Sequence, residues 1–180
     1  DHVCEVSVDT ETASFEEVEH LIENGCRNIA MLSGKKTAQV SERRECGYRR
    51  ALEKYGLHIR EEWIEDCLFD QKTAVQKSIE LKKSYPEIDA FFCVSDGVAI
   101  GAIEGMGQLG VRVPDDVAIA GFDDYTVSQY IHGGITSIKQ YPYKMGVACA
   151  NTVISMIEGN RVPDWIPMEY KLMKRASTKK

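Results

Sequence analysis

The sequence predicts an α/β fold, a parallel doubly wound sheet with helices on both faces. Short apolar runs alternate with amphipathic helical stretches, and strand–helix–strand repetition of this kind builds a parallel sheet. The runs Ile29–Leu32 and Ala90–Val94 are nearly all apolar, as in strands buried on both faces. Four helical stretches are followed by Gly25, Gly56, Gly110 or Gly159, where a left-handed C-cap belongs.

The expected strands, in order, are Val3–Val8, Asn28–Leu32, Trp63–Leu68, Ala90–Val94, Val117–Phe122, Thr136–Lys139 and Met168–Met173. The expected helices are Phe15–Asn24, Ser41–Tyr55, Lys72–Ser84, Asp96–Leu109 and Pro142–Glu158. Phe15, Val18, Leu21 and Ile22 share one helical face, and Ala99, Ala102, Ile103 and Met106 share another. The basic stretch from Lys171 to Lys180 is expected as a solvated tail.

The 180 residues suffice for one ordinary domain, and 43% apolar with 28% charged residues is the balance of a folded globular protein. A net charge of −6 repels phosphate backbones, so this chain is not the part of any protein that grips DNA. The six cysteines form no Cys-x-x-Cys pair and have no histidine close in sequence, which argues against zinc and thioredoxin-like chemistry. They are expected as reduced, small hydrophobes, hence a cytoplasmic setting. There is no signal-peptide pattern and no apolar run long enough to cross a bilayer, so no membrane partner is expected.

Ligands of doubly wound sheets bind beyond the carboxyl ends of the strands. After Leu32 come a polar loop and a helix bearing Arg44; after the third strand, Leu68, Phe69 and Asp70; after Val94, Ser95 and Asp96; after Gly121, Phe122, Asp123, Asp124 and Tyr125. A guanidinium, carboxylates, a hydroxyl and aromatic rings on one edge suit a polyol or sugar. The guanidinium fork donates to neighbouring hydroxyls, a carboxylate accepts from them, and a ring covers C–H faces. Each residue also has a plainer role: Ser95 as a helix N-cap, Asp96 favoured by the helix dipole, Asp123 and Asp124 as turn formers.

Gly105, Gly107 and Gly110 carry dinucleotide-binding spacing but fall at a helix end rather than its start, so no nicotinamide cofactor is expected. No nucleophile elbow, phosphate loop or paired-histidine motif is present, and His20, His58 and His132 are expected as structural or solvated. No catalytic residue, metal or cofactor is therefore assigned, and the chain is not expected to be an enzyme.

His20–Gly25 followed by Ile29-Ala30 and Ser33-Gly34, Arg44–Tyr48, Val94–Gly101, Val113–Val117, Gly121–Asp124 and Thr136–Gln140 together resemble the LacI/GalR repressor family, in order and spacing along nearly the whole chain. The resemblance implies a periplasmic-binding-protein-like lobe. By position, Arg44 and Asp123 match effector-binding residues, Ser95 a polar contact, Leu68 or Phe69 an aromatic wall, and Gln140 the lobe crossover. It implies a single effector-binding region over 1–180. The C-terminal lobe spans about 9–139 and 160–180, and a crossover of about 140–159 belongs to a missing N-terminal lobe. With one cleft wall missing, weak ligand binding by the chain alone is expected. The implied partners are a small effector (sugar, sugar phosphate or nucleobase), operator DNA through a headpiece absent from this chain, and a second copy in a homodimer. The alternative is a sugar-binding protein of a transport system. The helix Pro142–Glu158 is apolar over more than one face and is expected to drive self-association.

Overall fold

A computed structural model describes residues 3–179. Its main sheet contains β2 (Ile29–Ser33), β3 (Ile64–Asp66), β4 (Ala90–Cys93), β5 (Ala118–Asp123), β6 (Thr136–Gln140) and β8 (Tyr170–Met173), in the order β3-β2-β4-β5-β6-β8. Every pairing is parallel except that of β8 with β6. A second, two-stranded parallel sheet joins β1 (Glu5–Val8) to β7 (Trp165–Met168). The helices are α1 (Thr10–Glu23), α2 (Gln39–Lys54), α3 (Gln71–Ser84), α4 (Asp96–Gln108) and α5 (Pro142–Ile157).

The apolar strands work because alternate residues feed two different cores. Ala30, Leu32, Phe91, Cys93 and Ile119 pack with α3 and α4 residues such as Ala74, Leu81, Ala99 and Met106. Ile29, Met31, Ala90, Phe92 and Ala120 pack on the other face with Val18, Leu21, Tyr48 and Leu52 from α1 and α2. The Tyr48 ring stacks on Phe92 at 6.1 Å, and its hydroxyl donates to the Ile29 carbonyl at 2.8 Å. Helices α1 and α2 meet closely at Gly47, where a Cβ would lie 2.2 Å from the Glu11 carbonyl oxygen. Gly105 serves the same end between α4 and α3: a Cβ there would lie 2.3 Å from Ser78 Oγ. Gly25, Gly56, Gly110 and Gly159 all take positive φ at helix ends, as their positions predict.

The structure departs from the sequence expectation in five places. Helix α1 begins at Thr10 rather than Phe15, because Asp9 caps it through Thr12 N at 3.0 Å. Trp63 lies in a 3-10 turn, leaving only Ile64–Asp66 as strand. The run Met168–Met173 is divided between two strands in two sheets, with Met168 ending β7 and Tyr170 opening β8. Of the six cysteines, only Cys26, Cys67 and Cys93 are buried, while Cys46 and Cys149 are exposed.

The fifth correction is the C-terminal stretch, which is not a solvated tail. Ser177 and Thr178 are fully buried. Ser177 Oγ donates to the Ile119 carbonyl at 2.6 Å and accepts from Thr136 N at 2.9 Å. Arg175 pairs with Asp124 at 2.6 Å. Lys180, the end of the expected tail, lies outside the described residues.

His20, near the end of α1, helps hold this segment: its Nε2 lies 3.0 Å from Thr178 Oγ1, and Asn24 Nδ2 donates to the ring. Burial lowers the His20 pKa from 6.5 to about 4, with Lys174 adding to the effect. The unfolded chain therefore binds more protons than the fold between those values, and stability falls as pH drops from about 6.5 towards 4. The expected loss is up to about 2 kcal/mol. Urea unfolding at pH 7 and pH 4.5 measures it, and His20→Gln should remove this share of the pH dependence.

The chain passes between the two sheets at three places: Val8–Thr10, Gln140–Pro142 and Met168–Tyr170. These lie side by side, because Val8 is paired with Met168 and Gln140 with Tyr170. Val8, Ala13, Phe122 and Ile138 form a small apolar core at this junction, with Met145 and Met168 against it. On α5, only Thr152 is buried, and Tyr143, Val153, Ile154 and Ile157 are exposed.

Candidate functional site

Strands β2 and β4 are neighbours, but the helices that follow them, α2 and α4, cover opposite faces of the sheet. Their chains therefore part at the carboxyl edge and leave a crevice there. Arg44 reaches into it from the second turn of α2. Its Nη1 donates to the carbonyl of Val94, just past β4, and its Nη2 donates to Asp123 Oδ1 at 3.3 Å. The guanidinium carbon sits 3.6 Å from the centroid of the Phe122 ring. Burial pulls the Arg44 pKa below its usual value and the Asp123 carboxylate pulls it back up. The group stays charged.

Asp123 ends β5 and Gln140 ends β6, and Gln140 Nε2 donates to Asp123 Oδ1 at 2.6 Å. Arg44, Asp123 and Gln140, distant in the chain, thus form one connected set. Asp123 keeps 22% of its side-chain surface exposed, whereas Arg44 keeps 5%. Beside them is an open depression of roughly 690 Å³, lined by Asp123, Tyr125, Thr126, Gln140, Pro142 and Met145. It lies where the main sheet meets α5. Arg44 and Ser95 stand behind Asp123 rather than in its lining.

The other expected site residues divide. Ser95 adjoins the Val94 carbonyl that Arg44 grips, and its Oγ accepts from Val98 N at 3.4 Å as the N-cap of α4. Of Leu68 and Phe69, the aromatic one is the less exposed, and neither lines the depression beside Asp123. The Phe69 ring lies against Gly34, where a Cβ would be 2.3 Å from Cζ, while Leu68 points further into solvent. Both take left-handed φ, 55° and 57°, as do Asp123 at 101° and Asp124 at 52°. Such backbone costs about 1–2 kcal/mol per residue, and it is concentrated here on the rim where the strands end.

Asp96 is corrected from ligand contact to internal tie. It is fully buried, and its carboxylate is spent on three donors: Tyr125 N at 2.7 Å, Ser128 Oγ at 2.6 Å and Ser137 Oγ at 2.7 Å. Burial raises its pKa while these donors lower it. Asp124 is likewise internal, ion-paired to Arg175 and Lys139. The sequence reading passed over Glu17, a fully buried acid beside Leu21 on α1, whose only signal is an acidic residue at the margin of an apolar face.

Comparison with known proteins places this geometry. A family model described as a periplasmic binding protein-like domain matches residues 18–178. The chain belongs to the periplasmic binding protein-like domain family. The HTH-type transcriptional repressor PurR of Actinobacillus pleuropneumoniae is 29% identical over 164 residues, 89% of this chain and 49% of that protein. The HTH-type transcriptional regulator CelR of Thermobifida fusca is 32% identical over 178 residues, 98% of this chain and 52% of that protein. A solved complex of transcriptional regulator CelR with cellobiose superposes with a TM-score of 0.92 at 32% identity, covering 98% of this chain and 54% of that one. The Escherichia coli transcriptional repressor ascG superposes with 0.84 at 27% identity, covering 94% and 62%. The chain spans about half the length of the curated relatives it matches. These periplasmic binding protein-like relatives are transcriptional regulators, not enzymes. Among the described residues no helix is long and apolar enough to cross a membrane, and no cluster of three potential metal ligands occurs.

Proposed function

We propose that this chain is the effector-sensing region of a LacI/GalR-type transcription regulator, and that its effector is a neutral, sugar-like molecule. The observation that carries the reading is the Arg44–Asp123–Gln140 set at the sheet's switch point, opening on the depression beside α5. Its acidity disfavours phosphorylated ligands: Asp123 and the nearby Asp96 outnumber Arg44, whose Nη1 and Nη2 already meet acceptors. The solved relative holding cellobiose supports the same class. The region runs over 1–180, with β1, α5 and β7 belonging to the first lobe and the six-stranded sheet to the second.

Ligand bridging the main sheet and the α5 side would favour one angle between them, in proportion to its differential affinity for the two arrangements. That angle would set the spacing of DNA-binding segments in a homodimer, in the cytoplasm. This chain, at −6, would not itself touch operator DNA. The test is a thermal-shift screen of the full-length protein against neutral mono- and disaccharides, sugar phosphates and nucleobases, followed by calorimetry. Neutral sugars should stabilise it, and Asp123→Asn should weaken them about tenfold to a hundredfold. Stabilisation by phosphates or nucleobases alone, or an indifferent Asp123→Asn, refutes this reading.

A further inference from the structure

Beneath the pocket lies a buried acid that the reading above leaves unused. Neither carboxyl oxygen of Glu17 has a hydrogen-bond partner, and neither does Arg44 Nε on the facing helix. No direct hydrogen bond joins the two side chains, and the Arg44 charge acts on Glu17 by lowering its pKa. Thr10 and Ser14, on the same face of α1 as Glu17, and Ser41, one turn before Arg44, also carry buried hydroxyls without partners. Thr10, Ser14 and Glu17 line the side of α1 that faces α2, which Gly47 lets approach closely, while Ser41 lies against Gly34. Polar groups in such a place are satisfied by ordered water, since a bare buried carboxyl is strongly disfavoured.

Arg44 spends Nη1 on Val94 and Nη2 on Asp123, and its Nε–H is left in a buried place without an acceptor. Phe122 supports one face of the group. An acceptor at Nε would complete its buried donors and lock the side chain in place. We propose that Glu17 is a positioning residue of the ligand pocket, which takes the Arg44 Nε–H through ordered water and so steadies the guanidinium that holds Asp123 at the pocket rim. This rests on the Arg44–Asp123 set being the ligand site.

The charge state fits the task. Burial first, and then Asp96 and Asp123, push the Glu17 pKa well above the ordinary carboxylate value, against the opposing pull of Arg44. A neutral carboxyl both donates and accepts, and it adds no negative charge to a pocket that already holds Asp123. Glutamine mimics that form, whereas leucine keeps much of the volume and removes the polar group.

The test uses ¹⁵N-labelled full-length protein and two readouts: hydrogen exchange at Arg44 Nε–H, and calorimetric titration with cellobiose. In the unaltered protein Nε–H should exchange slowly, and fast exchange there overturns the proposal without any variant. Glu17→Gln should keep the slow exchange and hold affinity within threefold. Glu17→Leu should speed exchange and weaken cellobiose binding, each at least tenfold per folded molecule. A Leu variant that matches the unaltered protein in exchange, or a Gln variant that loses protection as fully as Leu, overturns it. The exchange readout needs no ligand, so a protein indifferent to sugars refutes the ligand reading while Glu17 is still judged on Nε–H protection.

Discussion

Arg44→Met is expected to weaken ligand binding by at least about thirtyfold while the protein stays folded. Truncating one member of a buried, hydrogen-bonded charge pair costs about 2–5 kcal/mol of binding, thirtyfold to several thousandfold. Methionine fills most of the volume and can pack on Phe122 where the guanidinium now lies. Asp123 is partly exposed and can rehydrate, so stability should shift by only about 1 kcal/mol. Arg44→Lys keeps the charge, but an ammonium cannot serve the Val94 carbonyl and Asp123 with a planar fork. It should lose at least about tenfold. Calorimetry with the sugar found by screening measures both variants, and urea unfolding checks their folds. A methionine variant that binds like the unaltered protein would remove Arg44 from the site.

The second large effect falls on stability. Asp96→Ala should cost about 3–5 kcal/mol, because it strands Tyr125 N and the hydroxyls of Ser128 and Ser137 in a buried place. Asp96→Asn should cost only about 1 kcal/mol. Its oxygen can face Tyr125 N and Ser128 Oγ, and its amide can donate to Ser137 Oγ. Denaturant midpoints at constant m-value decide this. Equal losses for both variants would mean that charge, rather than hydrogen-bond geometry, holds the loop after β5. Ligand affinity per folded molecule should fall as well, since that loop carries Tyr125 into the pocket lining.

Much of the fold is legible in the chain because central parallel strands and helix ends carry strong local signals. Ile29–Leu32 and Ala90–Val94 are apolar at every position for the reason found in the structure: two cores draw on one strand. Gly25 and Gly110 mark helix ends through backbone conformation alone. The misread parts depend on partners remote in sequence. Ser177 and Thr178 look like a polar tail, and only the Ile119 carbonyl and Thr136, some forty to sixty positions away, make them interior. Met168–Met173 has strand composition throughout, and nothing local tells that Met168 pairs with Val8 while Tyr170 pairs with Gln140.

At the site, the strand-end rule identifies the edge but not the division of labour along it. Asp96 and Asp123 both follow a strand, and the sequence treats them alike. Helix α4 turns Asp96 inward to three donors, while the left-handed backbone at Asp123 keeps that carboxylate at the rim. Glu17 carries almost no signal, since one acid beside an apolar face is the ordinary look of a surface helix.

The neighbouring passages at Val8–Thr10, Gln140–Pro142 and Met168–Tyr170 limit how the two sheets can move. A row of short connections acts like a door hung on several pins: swinging strains each a little, whereas twisting or sliding strains all of them at once. Relative motion is thereby reduced to a single angle, and the pocket at Gln140 and Pro142 lies beside the pins. Close to the axis a small molecule needs to shift atoms by only a fraction of an ångström to displace the far end of α5 by several times as much. The arrangement multiplies displacement at the expense of force.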